Sequence, residues 1–337
     1  MVELDTIDEI AEGILARDPG TDGRIHLLRD ALQRPPHSPE VVQAREDLAT
    51  SRRVQELQRE QWNDGSWGRL HSQDSSAGQK IGATEVGVER ALALGLDAAH
   101  SVLYKASRYL TGILEGRILC RDRAEKNDRW DTGVRLFSAA TLAWIQPDLP
   151  VLDAVWELWM NLARRTFASG AYDPEAEIRA HRELTGASVQ HSYLVLDSKY
   201  ALALLGARAA ALPRDLEAAL LRWVWHKEDG IGYLEEKVSR LPGPGESGHF
   251  ERWFASLELL SRFPVWRELA SDVIRWFWDT RTPAGLWDFG PRSNLSIVLP
   301  LSESWRRQRA RQVDWTTRVL VLLRRYYADD EGQALSL

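Results

Sequence analysis

The sequence is poor in cysteine and has no long apolar run. One cysteine, Cys120, stands in 337 residues, which excludes an intrachain disulfide framework and a multi-cysteine zinc site and fits a reducing compartment. The acidic N-terminus, Met1 to Glu9, lacks the apolar core of a secretory signal, and no apolar stretch is long enough to span a bilayer. We therefore expect a cytoplasmic protein without an integral membrane segment.

The chain also lacks an excess of positive charge. Lys and Arg number 43 against 49 Asp and Glu, for a net charge of -6. A nucleic-acid-binding protein usually carries a basic patch, so we expect no nucleic-acid partner. The hydrophobic content of 44% with 27% charged residues is typical of a globular protein.

Tryptophan is the one residue in excess, with 15 Trp against 7 Phe. Large amphipathic rings pack helix pairs together, and they also line pockets for hydrocarbon or sugar rings. For any single Trp, packing between layers of helices is the simpler interpretation.

Five segments align as repeats, because each predicts a helix that begins polar and ends aliphatic. Each follows a more amphipathic helix and a Gly-containing turn, so the repeating unit is helix, turn, helix. The five segments are Thr84 to Leu94, Arg129 to Leu142, Leu196 to Leu205, His249 to Leu260 and Val313 to Leu323.

The turns predict how the units assemble. Gly65, Gly170, Gly230 and Gly285 occupy equivalent corners, and Gly116 supplies the corner missing between the first two. Helix pairs that bury one face must stack on their neighbours, and about six such pairs can close into a barrel. The predicted fold is therefore all-α, an α/α toroid of about six helical hairpins with inner helices around a central cavity.

No linker of low complexity divides the chain, so one closed repeat domain is favoured over two domains. We predict an N-terminal helical extension over residues 1–38, the α/α-toroid domain over residues 39–328 and a frayed tail over residues 329–337. The oligomeric state does not follow from the sequence.

Two motifs resemble those of a known superfamily. The turn Gln61 to Gly68, Gln-Trp-Asn-Asp-Gly-Ser-Trp-Gly, resembles the Gln/Gly/Trp turn repeat of squalene-hopene cyclases and of protein prenyltransferase β-subunits. The run Trp130-Asp131-Thr132 looks like the start of a cavity-lining inner helix in those cyclases. The resemblance extends over most of residues 40–327 and implies the α/α-toroid fold, although a fold does not fix a function.

The chain departs from the family at the catalytic motifs. The cyclases donate a proton from an Asp-x-Asp-Asp motif, whose nearest counterpart here is Val195-Leu196-Asp197 with its flanking residues, and Leu196 stands in place of the donor. The zinc set of the prenyltransferases is incomplete, because no Cys lies near His249. No cofactor is predicted, and Mg²⁺ would enter only with a diphosphate substrate.

The predicted catalytic residues are therefore other groups near the starts of inner helices. The resemblance directs these starts to the cavity, which puts Glu85 among the groups that face it and makes Asp131 and Asp197 candidate acids. His191, just before the third inner helix, is a candidate replacement acid or base. The alternative for His191 is an ordinary capping or loop residue.

The same helix starts carry cations and rings. Arginine and lysine could hold an anionic head such as diphosphate or carboxylate, and aromatic faces could enclose a hydrocarbon. The predicted substrate-binding residues are Trp130, Arg135, Tyr193, Lys199, Tyr200, Arg252, Trp253, Trp315 and Arg318. The competing interpretation is a set of intrahelical ion pairs, such as Asp131 with Arg135 and Asp314 with Arg318, that only stabilise these helices.

Two functions remain open from the sequence. The first is a non-standard terpenoid-cyclase-like enzyme that acts on a small apolar or amphiphilic substrate, prenyl or related, in a Trp-rich cavity. The second is an inactive toroid that binds or interacts without chemistry. A sugar-processing α/α barrel is a weaker third. A cavity with an unpaired acid would favour the enzyme, whereas a centre filled by Phe137 and Leu196 would favour the inactive protein.

Overall fold

The computed structural model describes residues 2–71, 80–124, 126, 128–187, 194–243, 247–291, 299–302 and 305–328. Every regular element within these ranges is helical, which confirms the all-α fold class. The fifteen α-helices in this part of the chain are α1 Val2–Leu15, α2 Thr21–His26, α3 Pro39–Ala49, α4 Arg52–Glu60, α5 Thr84–Ala93, α6 Ser101–Leu114, α7 Trp130–Ile145, α8 Asp153–Thr166, α9 Pro174–Thr185, α10 Lys199–Gly206, α11 Arg214–His226, α12 Ser247–Leu260, α13 Trp266–Leu269, α14 Ser271–Asp279 and α15 Gln308–Tyr327. None of these helices is long and apolar enough to cross a membrane.

The five aligned segments are all helical, as α5, α7, α10, α12 and α15. The aliphatic ends of two of them are enclosed on every side: residues 136–143 of α7 and residues 200–206 of α10 are continuously buried. A helix that is apolar all round belongs in the interior. The third segment starts later than predicted, because the Ser198 hydroxyl accepts a hydrogen bond from the Ala201 N–H and makes Lys199 the first helical residue.

The five glycine corners share one conformation. Gly65, Gly116, Gly170, Gly230 and Gly285 all have positive φ, between 65° and 93°. In each, the glycine N–H donates to the carbonyl three residues earlier, over 2.8 to 3.2 Å. Only glycine adopts this backbone region without steric cost. Gly116 therefore has the same local geometry as the four corners that the sequence identified directly.

Two of the turns are built alike around a buried tryptophan. The Trp67 indole N–H donates to the Leu57 carbonyl, and the Trp67 backbone N–H donates to the Thr84 hydroxyl of α5. Trp287 makes the same two bonds, to the Phe277 carbonyl and to the Thr316 hydroxyl of α15. Each tryptophan thus joins the end of one helix to one of the five aligned helices, which is the packing role expected for most Trp residues here.

The first and last helices of the chain pack against each other. α15 contacts both α1 and α2, and the Arg324 guanidinium donates to the Ala31 carbonyl over 2.6 Å. Arg53 of α4 donates to the carbonyls of Pro300 and Leu301 over 2.5 and 2.8 Å. The N-terminal helices therefore pack on the C-terminal end of the chain, while the domain boundary at residue 38 stays a prediction.

A buried histidine lies between α8 and α9. His181 has no exposed surface, its ring packs against Trp159, and neither ring nitrogen has a hydrogen-bond partner among the described residues. Its Nε2 lies 3.9 Å from the Glu177 carboxylate, which is occupied by the Tyr172 hydroxyl and the Leu196 N–H. Burial lowers the pKa of His181 to about 4, from 6.5. The imidazole is therefore held neutral and unsatisfied.

We expect His181→Leu to raise the free energy of unfolding by about 1–3 kcal/mol at neutral pH, because it removes unsatisfied buried polar atoms. The wild-type protein should also lose stability as the pH falls from about 6.5 toward 4, since only the unfolded state binds the proton readily there. Urea unfolding of both proteins between pH 4 and 8 measures the two effects. The exposed His37→Leu variant is the control, and an equal pH slope in wild type and His181→Leu would contradict the assignment.

Candidate functional site

A short non-helical segment, Arg69 to His71, lies across the start of α5. The Thr84 N–H donates to the Arg69 carbonyl over 2.7 Å, and the Glu85 N–H donates to the Leu70 carbonyl over 3.1 Å. On its other edge, the buried carboxylate of Asp122 accepts the N–H groups of Leu70 and His71 over 2.6 and 3.0 Å. This segment places the His71 side chain beside the first turn of α5.

His71, Glu85 and Tyr200 form a hydrogen-bonded group, named the triad below. His71 Nδ1 lies 3.0 Å from each oxygen of the Glu85 carboxylate. The Tyr200 hydroxyl donates to Glu85 Oε2 over 2.9 Å and lies 3.0 Å from His71 Nδ1. The Glu85 and Tyr200 side chains are 9% and 2% exposed, whereas that of His71 is 26% exposed. The carboxylate is thus enclosed, and the imidazole forms the open side of the triad.

Two further rings surround the triad. Phe137 of α7 stacks on the His71 imidazole with ring centroids 4.2 Å apart and also packs on Tyr200. Tyr233, on the turn after α11, meets His71 and Tyr200 edge-on at 6.0 and 5.1 Å. Tyr233 has φ 74°, a region that is costly for a tyrosine. The triad therefore lies where α5, α7, α10 and this turn meet, in a largely aromatic setting.

An ion pair borders the same group. Lys199 Nζ lies 3.0 Å from Glu89 Oε1 and 4.9 Å from the centre of the Tyr200 ring. Burial opposes the charge of Lys199, but the carboxylates of Glu89 and Glu85 outweigh it and raise the pKa of the lysine. Burial, together with these same carboxylates, raises the pKa of Tyr200 far above its usual range. Lys199 is therefore a fixed cation, and the Tyr200 hydroxyl keeps its proton as a donor to Glu85.

The predicted catalytic residues lie in three different places. Asp131 is exposed on the first turn of α7. Asp197 is buried, and its carboxylate is neutralised by Lys227 Nζ at 3.0 Å. The Asp197 carbonyl accepts the Gly232 N–H over 2.9 Å, which anchors the turn that carries Tyr233. His191 lies outside the described residues.

Of the predicted substrate-binding residues, Lys199 and Tyr200 come together at the triad. Three arginines have partners elsewhere: Arg135 donates to the Leu114 carbonyl, Arg252 binds Glu235, and Arg318 binds Glu258 and the Leu299 carbonyl. Trp130 is half-buried at the start of α7, and Tyr193 lies outside the described part of the chain. The described arginines do not gather into a ring of free cations.

Trp253 and Trp315 lie in a separate aromatic cluster. The Trp253 indole donates to the Val238 carbonyl over 2.9 Å, and Trp315 packs on Phe250, Phe254 and Trp305. Both rings are almost fully buried. In this structure they pack neighbouring helices together.

The intrahelical ion pairs weighed above are not formed in the ranges described. Asp314 instead accepts the Ser302 N–H and hydroxyl over 2.9 and 2.8 Å and the Trp305 indole N–H. Burial raises the pKa of Asp314. Arg318, its expected partner, binds Glu258 over 3.4 Å. Asp314 and Arg318 therefore tie α15 to other segments of the chain instead of to each other.

His71, Glu89 and Tyr233 are the site residues that sequence reasoning missed. Glu85 and Glu89 are one turn apart on a predicted inner helix, and that spacing was a usable signal for a polar face. Nothing local marks His71 or Tyr233, because each is brought in by a turn that packs on a helix distant in sequence. No group of three or more His, Cys, Asp or Glu side chains suited to a metal occurs among the residues that the structure describes.

Cys120 offers no ready nucleophile. Burial raises the pKa of its thiol to about 11, and the thiolate is the reactive form of cysteine. Acid–base chemistry at the triad is the activity that the described geometry can carry. Searches of family models, of curated proteins and of solved structures found no match to this chain.

Proposed function

We propose that this chain is an α/α-toroid enzyme that uses acid–base chemistry on a small apolar or amphiphilic substrate, prenyl or related. The observation that carries the proposal is the hydrogen-bonded group of His71, Glu85 and Tyr200 at the junction of three inner helices. A buried carboxylate that orients an imidazole is a common arrangement for moving a proton.

The toroid part of the proposal draws on three features. Five glycine corners share one geometry, two tryptophan turns make the same pair of bonds, and Arg53 of α4 binds the carbonyls of Pro300 and Leu301, which precede α15. Repeated helical pairs whose first and last members touch are what a closed ring of hairpins would show. These features support ring closure.

The role of each triad member follows from its hydrogen bonds. Nδ1 of His71 faces both Glu85 oxygens, so it carries a proton and donates to the carboxylate. This leaves Nε2 with the lone pair, and no partner for Nε2 occurs among the described residues. His71 is then a general base, Glu85 fixes its tautomer, and the Tyr200 hydroxyl stabilises the Glu85 charge.

This chemistry differs from that of the family that the sequence resembles. Protonation of an alkene demands a strong acid, and an imidazolium is a weak one, whereas an imidazole readily takes a proton from water or from an activated carbon. Leu196, at the position of the family's proton donor, is fully buried and apolar. The proposed step is therefore transfer of a proton from a bound water or a substrate hydroxyl to His71 Nε2, with the electron pair of the broken O–H bond remaining on the oxygen.

The setting favours a substrate whose reacting end is apolar or weakly polar. Phe137 and Tyr233 provide aromatic surface next to the imidazole, and aromatic faces suit unsaturated hydrocarbon. Lys199 is the only predicted cation at the site, and Glu89 already neutralises it. This argues against a diphosphate head, which needs several free cations or Mg²⁺.

The inactive binding protein remains the second candidate. Phe137 is 4% exposed and stacks on His71, and Leu196 is fully buried, so two side chains named as fillers of the centre are in the interior. In this alternative the triad is a structural tie between α5 and α10.

Native mass spectrometry followed by denaturing extraction tests the proposal. We expect an apolar or amphiphilic compound to co-purify, and prenyl alcohols, polyenes and prenyl diphosphates to be converted to extractable products in at least one case. Each compound is assayed with and without Mg²⁺. Retention of bound compounds without conversion of any of them would favour the binding protein. An empty protein that binds none of the panel would exclude an apolar substrate.

A further inference from the structure

Asp122 lies in the segment between α6 and α7, far from the triad in sequence. Its side chain is buried, at 8% exposed, and each carboxylate oxygen accepts one backbone N–H: Oδ1 from Leu70 and Oδ2 from His71. The bond to Leu70 is 2.6 Å long, in the range of strong charge-assisted hydrogen bonds. A buried carboxylate is thus committed to the main chain at the residue proposed as base.

The segment Arg69 to His71 is held from both edges. Its carbonyls bind the first two N–H groups of α5, at Thr84 and Glu85, and its N–H groups bind Asp122. The hydrogen bond from the Glu85 N–H therefore fixes where Leu70 lies along α5, and the Asp122 carboxylate fixes the position of the His71 backbone. Arg121, the preceding residue, binds Asp64 over 2.6 Å and ties the same loop to the Gln61 turn.

We propose that Asp122 is a positioning residue for His71, which it holds so that Nδ1 stays on the Glu85 carboxylate and Nε2 stays available. This inference rests on the proposed role of His71 as base. Without the carboxylate, two buried N–H groups lose their acceptors and the segment must shift to recover them. A shift of about 1 Å is enough to break hydrogen bonds that are 3.0 Å long.

The experiment compares Asp122→Asn with the wild type by ¹⁵N NMR of histidine-labelled protein. His71→Asn identifies the His71 signals by their loss. We expect one dominant tautomer, with the proton on Nδ1, in the wild type, and a mixture of tautomers in Asp122→Asn, because an amide accepts only one of the two N–H groups. For a substrate that the wild type converts, kcat of Asp122→Asn should be about 10- to 100-fold lower, and KM should change by no more than about 3-fold.

Asp288→Asn is the matched control. Asp288 is a nearly buried carboxylate that pairs with Arg311 and accepts the Gly290 N–H in the turn around Trp287. Its loss should reduce stability without changing the His71 signals. The folded fraction is measured by circular dichroism for every variant. If Asp122→Asn does not fold, Asp122→Ser, which keeps one acceptor in a smaller side chain, takes its place in the same measurements.

Unchanged His71 signals in the folded Asp122 variant would overturn the inference and leave Asp122 as a support of the loop alone. The NMR measurement does not depend on turnover. If His71→Asn keeps full activity, the proposed function fails, whereas a changed tautomer in Asp122→Asn would still show that Asp122 positions the ring.

Discussion

His71→Asn is expected to lower kcat/KM by at least about 100-fold while the protein remains folded, because general-base catalysis typically contributes 10²–10⁴-fold. The Asn amide can still donate to Glu85 from a position near that of Nδ1, so the triad keeps one hydrogen bond. The Asn side chain has no counterpart to the basic Nε2 of histidine. The measurement is initial rate against concentration for a compound that the wild type converts, with circular dichroism as the check on folding.

Glu85→Gln and Asp131→Asn separate the geometric assignment from the sequence-based one. Glu85→Gln removes the carboxylate that fixes the His71 tautomer and should lower kcat/KM, by as much as about 10⁴-fold by analogy with the Asp-to-Asn change in the Ser-His-Asp triad. Asp131 is exposed, so its loss should matter little if His71 is the base. Glu40→Gln, on the exposed face of α3, controls for the loss of one charge. If Asp131→Asn were inactive and His71→Asn active, Asp131 would be the catalytic acid, as predicted from the sequence, and His71 would not be the base.

The helices and their corners were predictable because their signals are local. A segment that begins polar and ends aliphatic is read from consecutive residues, and a glycine at a fixed place in each repeat marks a corner with positive φ. The errors are at helix ends, as at Leu196, where a capping hydroxyl at Ser198 decides the first turn. Ring closure needs contacts between the start and the end of the predicted toroid domain, such as that of Arg53 with Pro300 and Leu301, and no local pattern encodes them.

The site was less predictable because its members are far apart in the chain. His71 and Glu85 are 14 residues apart, and Glu85 and Tyr200 are 115 apart. The inner-helix assignment identified Glu85 and Tyr200 as candidates, but only the fold of the turn brings His71 onto them. Without a structure, His71 is one polar residue at the start of a long polar loop.

The rotation of α7 about its axis explains why Asp131 and Arg135 lie outside the site. They are four residues apart and share one face, which is exposed, whereas Leu136 and Phe137 face the interior. The start of this helix carries both charged and aromatic residues, so composition does not decide which face meets the centre. Packing decides it, because burying the Phe137 ring stabilises the fold, whereas burying an uncompensated charge destabilises it.

Gly65→Ala is expected to lower the free energy of unfolding by roughly 2–5 kcal/mol. A Cβ there would lie 2.2 Å from the backbone carbonyl oxygen of Lys105, so helix α6 or the turn must move, at a cost of about 1–3 kcal/mol. The positive φ of 93° adds about 1–2 kcal/mol for any residue with a Cβ. Urea unfolding followed by tryptophan fluorescence measures the loss.

Gly285→Ala separates the two costs, because Gly285 has the same kind of corner, with φ 78°, and no atom within 4 Å of an added Cβ. Its free energy of unfolding should fall only by the backbone part of the cost, about 1–2 kcal/mol. Gly230→Ala, whose Cβ would lie 2.1 Å from the Glu236 carbonyl oxygen, should resemble Gly65→Ala. Equal losses at Gly65 and Gly285 would mean that φ alone selects glycine at these corners. A larger loss at Gly65 and Gly230 would show that close backbone packing also selects it, at two of the turns that organise the repeats.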